Sequence, residues 1–175
     1  MTTTIFIFFR EGGIMGKTAK FISGFMVAAA ALLYICAVTQ AAQRKPVEVK
    51  KSDKCQVCGM LVAGYPNWIS QIIFTDGTYA FFDGPKDMFR YYFNLAKYNP
   101  SKKQADIDAM YVTEYYSAKL ADAGKLFFVQ GSDVNGPMGV ELVPIESIGK
   151  AKEFMKDHHG KKILRFDEVK REDLK

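Results

Sequence analysis

The sequence predicts an α+β protein made of two tandem ββαβ units with small antiparallel or mixed sheets, preceded by a signal peptide and a polar tether. Three observations carry that prediction. Apolar, β-branched runs of strand length alternate with two stretches of helical periodicity, in the order strand, strand, helix, strand, twice over. Gly, Pro and Asp clusters punctuate the runs. The composition, 49% hydrophobic, 14% aromatic and 25% charged over 175 residues, is that of a folded domain and not of a disordered or fibrous chain.

Residues 1–41 read as an address. From Met15, Lys17 and Lys20 precede an apolar run at 21–38 and then small and polar residues, the three-part plan of a secretory signal with a cleavage site after Ala41. A retained membrane anchor is the competing reading, because the run is about as long as the shortest bilayer-spanning helix. LYIC at 33–36 has the form of a lipoprotein box ending in Cys36, although Ile35 stands where a small residue is expected. The stretch MTTTIFIFFREGGI fits no signal n-region, and Glu11-Gly12-Gly13 is what a translated ribosome-binding site would give, so Met15 is the expected start. N-terminal sequencing of the precursor checks this: a peptide from residues 2–14 would refute it. Both routes place the remainder outside the cytoplasm, where thiols meet oxidants.

Residues 42–54 are polar, charged and aperiodic, the pattern of a tether. The first unit, 55–117, has strands at 68–74 (WISQIIF) and 78–82 (TYAFF) around the turn Thr75-Asp76-Gly77, a helix at 85–97, and a strand at 109–116. Asp83-Gly84-Pro85 supplies cap and first-turn chemistry, and Met88, Phe89, Tyr92, Phe93 and Leu95 form the helix's apolar face. The second unit, 118–175, has strands at 126–130 and 140–144, a helix near 146–158 with Ile148, Ala151, Phe154 and Met155 facing inward, and a last strand at 162–169. At about 60 residues neither half buries much surface alone, which favours a shared core or face-to-face packing.

The net charge is +5, but basic and acidic residues alternate, so no basic stripe exists to follow a phosphate backbone and nucleic acid is excluded as a partner. Two His and three Cys leave little material for a His-rich metal site or a disulfide framework. The chemistry therefore concentrates in Cys55-Gln56-Val57-Cys58-Gly59-Met60, which places three sulfur atoms within six residues. Thiolate and thioether are soft donors that select Cu(I) over zinc, calcium or magnesium. A thioether holds the ion without proton competition, while a thiol must first lose its proton. Three readings compete: a Cys55–Cys58 disulfide, which would close a tiny loop and constrain little; a dithiol redox motif, which normally opens a helix after a strand; and half of a zinc ribbon, whose second Cys pair does not exist.

Met138 lies between Gly136-Pro137 and Gly139 in a loop with no evident core to fill, which makes it either a thioether ligand from the second half or a local packing residue. Met88, Met110 and Met155 read as core filler. His158-His159 suits a helix C-terminus more than a metal site. Trp68 and Tyr65 either shield the site or cover an edge. Asp83 reads as a helix cap; Asp83, Asp87 and Glu114 form no evident acid-base pair.

The C-x-x-C-G-M stretch, the block WISQIIFTDGTYAFFDGPKDMFRYY and the block FFVQGSDVNGPMGVELVPIESIGKAKEFMKDHHGKKILRFDEV together resemble the NosL family of periplasmic copper-binding proteins over nearly all of residues 55–169. The resemblance implies a pair of ββαβ units, Cu(I) as the ion, and a chaperone role in which copper is received from a donor and delivered for maturation of nitrous oxide reductase. It places Cys58 and Met60 on the metal-binding motif, Met138 on a Met of the second half, and Cys55 as an auxiliary donor. Family members are commonly lipoproteins. The expectation is therefore a periplasmic Cu(I) carrier, membrane-attached through its signal segment or a lipid, and not an enzyme. The alternatives are a periplasmic thiol-disulfide oxidoreductase and a copper sensor that binds without transferring.

Overall fold

Residues 44–174, those described by the computed structural model, join the first sheet almost at once. The expected signal segment, Cys36 and the start site lie outside the described residues. The segment read as a tether lies along the sheet: the Arg44 guanidinium donates to Thr75 O at 2.6 Å, and Val47 exchanges hydrogen bonds of 2.8 and 3.1 Å with the Gln71 side chain. Val47 and Val49, one strand period apart, pack on the core, and that pairing of apolar positions is what fixes a stretch otherwise rich in charge.

Strands β1 (Ser70–Phe74) and β2 (Tyr79–Phe82) form the expected hairpin, with Gly77 at φ +87° in the turn. Helix α1 (Pro85–Phe93) and the short helix α2 (Leu95–Tyr98) follow, then β3 (Ile107–Thr113) and β4 (Leu120–Asp122). The second half holds β5 (Phe127–Gln130), a small hairpin of β6 (Asn135–Gly136) and β7 (Gly139–Val140), then β8 (Val143–Ile145), α3 (Ile148–Asp157) and β9 (Lys162–Arg165). The two larger sheets run β2-β1-β3-β4 and β8-β5-β9, with every pairing antiparallel. Each sheet centres on the first strand of its half, flanked by the strand before the helix and the strand after it.

Three details depart from expectation. The helix expected at 85–97 breaks at Asn94, because Arg171 donates to Phe93 O and to Asn94 Oδ1 while Asn94 Nδ2 bonds Arg90 O; side chains take over the last carbonyls of the turn. Ile148, expected inside, is 46% exposed, since α3 buries only Ala151 and Phe154 fully. Strand β4 and the β6–β7 hairpin were not expected at all. Ser147 is the N-cap of helix α3, and its Oγ accepts from Lys150 N at 3.3 Å. Ser147→Ala should cost about 1 kcal/mol, read as a lowered urea midpoint at unchanged slope.

One core serves both halves. It joins Ile72, Phe74 and Phe82 of the first sheet to Phe128 and Leu164 of the second, with Met88 and Phe89 of α1 between them. This packing fixes α1, and the start of α1 carries the site.

Candidate metal centre

The cysteine loop is closed on itself by its own backbone. Cys55 N donates to Met60 O at 2.8 Å, Gly59 N to Cys55 O at 3.0 Å, and Val62 N to Asp53 O at 3.0 Å. Gly59 sits at φ +79°, a conformation an L side chain resists, so a glycine is required to turn Cys58 and Met60 back. Gln56 N donates to Phe81 O at 3.1 Å and pins the loop beside the end of β2. Beyond β2 the chain passes through Asp83 and Gly84 into α1, so the loop faces a strand-to-helix junction.

Two thiols and two carboxylates meet there. Cys55 Sγ donates to Asp87 Oδ2 at 3.4 Å and Cys58 Sγ to Asp83 Oδ2 at 3.3 Å, with one ligand atom from each of the four residues lying within 4.8 Å of the others. Asp83 and Asp87 are 0% and 1% exposed, Cys55 3%, and Cys58 is half-buried. Arg90 holds the other oxygen of Asp87 at 2.7 Å, while Asp83 Oδ1 is buried without a partner. An unpartnered buried carboxylate oxygen is costly and calls for a partner, and Glu114 Oε1 is in the same state.

Burial, reinforced by the Asp83 carboxylate, pushes the Cys55 thiol far above its ordinary range, and burial raises Cys58 as well. A redox dithiol needs the opposite shift, because its thiolate is the nucleophile. Both cysteines are free. The arrangement is a pair of protonated soft donors, each ready to give up its proton when an ion replaces it.

Met60 is half-buried at the exit of the loop, where its carbonyl closes the turn. Met138 is 41% exposed, between β6 and β7. Its carbonyl accepts from Lys86 Nζ at 3.2 Å, which ties that hairpin to the first turn of α1. The structure thus brings Cys55 and Cys58 together, sets Met60 at the end of their loop, and seats the backbone of Met138 on the helix end that faces them.

Asp83 is not a helix cap. The N-cap is Gly84, with no side-chain cap bond, and Asp83 accepts from Cys58 instead. Asp83 and Asp87 are the residues missed from sequence; their signal was an i, i+4 carboxylate pair straddling a helix start, which resembles ordinary capping chemistry. Glu114 is buried elsewhere, with Oε2 accepting from Ser117 N. His158 caps α3, paired with Asp133 at 3.0 Å and stacked on Phe154. Trp68 packs on a second small core beside Tyr115.

A NosL family model matches residues 46–174. The chain is similar to the copper-binding lipoprotein NosL of Stutzerimonas stutzeri, at 26% identity over 133 residues, 71% of this chain and 66% of that protein. It therefore spans just under two thirds of the length of that curated relative. Its fold is similar to the crystal structure of the copper chaperone NosL from Shewanella denitrificans, with a TM-score of 0.62 and 20% identity, covering 73% of this chain and 97% of that one.

Proposed function

The chain belongs to the NosL family, matched over residues 46–174, and from that premise we propose that it is an extracytoplasmic Cu(I) metallochaperone delivering copper for maturation of nitrous oxide reductase. Copper is cargo, and the protein is a carrier and not an enzyme. The observation that carries this reading is the convergence of Cys55 Sγ and Cys58 Sγ in one largely buried cluster, on a loop that ends at Met60. Cys55 and Cys58 bind the ion as thiolates, and Met60 and Met138 add thioethers. Cys55 lies behind, at 3% exposure, while the half-buried Cys58 faces outward, so an incoming ligand approaches from the Cys58 side. Exchange of ligands one at a time moves the ion without setting it free. The relative named as a lipoprotein supports a place outside the cytoplasmic membrane.

Cu(I) titration against a competing chelator tests the binding. Met60→Ala should weaken Cu(I) by at least about tenfold, roughly 1.4 kcal/mol, while leaving dithiol oxidation of Cys55 and Cys58 unchanged. Unchanged affinity would remove Met60 from the site. Mixing copper-loaded protein with apo-nitrous oxide reductase tests the delivery: copper moves to a true client and stays put if the domain only senses it.

A further inference from the structure

The β6–β7 hairpin has almost nothing of its own to hold it in place. Its strands are two residues each, and Met138 and Val140 are 41% and 47% exposed. So short a hairpin is not stable alone, and these exposed side chains give it no apolar anchor. Its position is set instead by Lys86 and Glu141.

Glu141 is 2% exposed, and its Oε1 accepts from Lys86 N at 2.7 Å and from Leu142 N at 2.9 Å. It thereby caps the start of α1, whose own N-cap offers no side chain. Lys86, 5% exposed, reaches the other way, donating from Nζ to the carbonyls of Met138 and Val140. Each element's side chain thus satisfies the other element's backbone. Two glycines make room for the carboxylate: a Cβ on Gly84 would lie 2.4 Å from Glu141 Oε2, and one on Gly136 would lie 2.9 Å from it. Gly84 adopts an extended conformation open to any residue, so the demand there is for space. Burying a Lys and a Glu is costly, and well-packed apolar residues would often stabilise as well or better; what side chains bonded to backbone groups of another element add is a fixed geometry.

We propose that Lys86 and Glu141 are positioning residues that latch the Met138 hairpin onto the α1 start, between Asp83 and Asp87, so that the Met138 thioether is held at the rim of the thiol cluster. The proposal rests on the copper reading above. Loss of the latch should have the same consequence as loss of Met138 itself, as expected of residues that orient a ligand.

The test uses the folded protein loaded with Cu(I), a chromogenic chelator to read retention, and X-ray absorption to count sulfur neighbours of copper. Glu141→Ala, Lys86→Leu and Met138→Ala should each weaken retention about tenfold and remove one sulfur neighbour. The double variant Glu141→Ala/Met138→Ala should be no worse than either single one, because the two changes remove one contact. Glu141→Gln, which keeps the accepting oxygen, should restore most of the retention. Additive losses, or an undiminished sulfur count in folded Glu141→Ala, would overturn the proposal; if Glu141→Ala does not fold, Lys86→Leu carries the same test from the other side. Cys58→Ser separates the two levels of the argument. If it retains copper like the parent, the copper reading itself fails; if it loses copper while Met138→Ala does not, only the latch fails.

Discussion

Cys58→Ser should abolish tight Cu(I) loading, with affinity falling by about a hundredfold or more, roughly 2.7 kcal/mol, while the protein stays folded. The substitution keeps shape and a donor for Asp83, the present partner of Cys58 at 3.3 Å. It replaces a soft anionic sulfur with a hard neutral oxygen, which Cu(I) does not favour. Because Cys58 is half-buried at the margin of the core and Ser keeps a donor for Asp83, the unfolding free energy should change by no more than about 1 kcal/mol. Chelator competition reads the first quantity and urea denaturation the second; unaltered affinity defeats the assignment. The sign of the pH dependence follows from the raised thiols. Both are protonated without the ion, so loading releases protons, and affinity should climb as pH rises between about 6 and 8, at up to about tenfold per unit for each proton released. Cys58→Ser, with one proton fewer to lose, should show a shallower slope.

The residues that were legible in sequence are those whose role is set locally. WISQIIF and TYAFF announce a hairpin because alternation and the Asp76-Gly77 turn agree, and they pair as β1 and β2. Cys55 and Cys58 are close in sequence, and their sulfur atoms come together in one cluster with Asp83 and Asp87. What stayed hidden depends on partners far along the chain. The helix expected to reach 97 stops at Phe93 because Arg171, from the C-terminal turn, donates to Phe93 O and to the Asn94 side chain, which in turn donates to Arg90 O. The segment at 44–49 leaves its tether role because Gln71 receives Val47. Asp83 and Asp87 carry capping chemistry in any local reading, and the packing of Cys55 in the core together with the bond from Gln56 N to Phe81 O, which seat the cysteine loop beside the helix start, give them thiols to face. The β6–β7 hairpin has no periodicity of its own; a lysine and a glutamate 55 positions apart place it.

Phe89→Ala should cost about 3–5 kcal/mol, enough to unfold a protein of ordinary stability or bring it close. Phe89 is 0% exposed on α1, and its ring meets Phe128 of β5 edge-on at 5.2 Å between centroids and Phe166 at 5.1 Å. It is thus a direct bridge between the helix of the first half and the sheet of the second, and no small shift refills so large a space. The helix it anchors also carries Lys86 and Asp87, so the residue that seals the core sets the place of the site. Two consequences separate this view from one of two independently stable halves. Wild-type unfolding should be a single transition by every probe, and hydrogen exchange in β1 and β5 should speed up together in Phe89→Ala. If β5 kept its protection while β1 lost it, the halves would be separate folding units, and the position of the cysteine cluster would owe nothing to the second sheet.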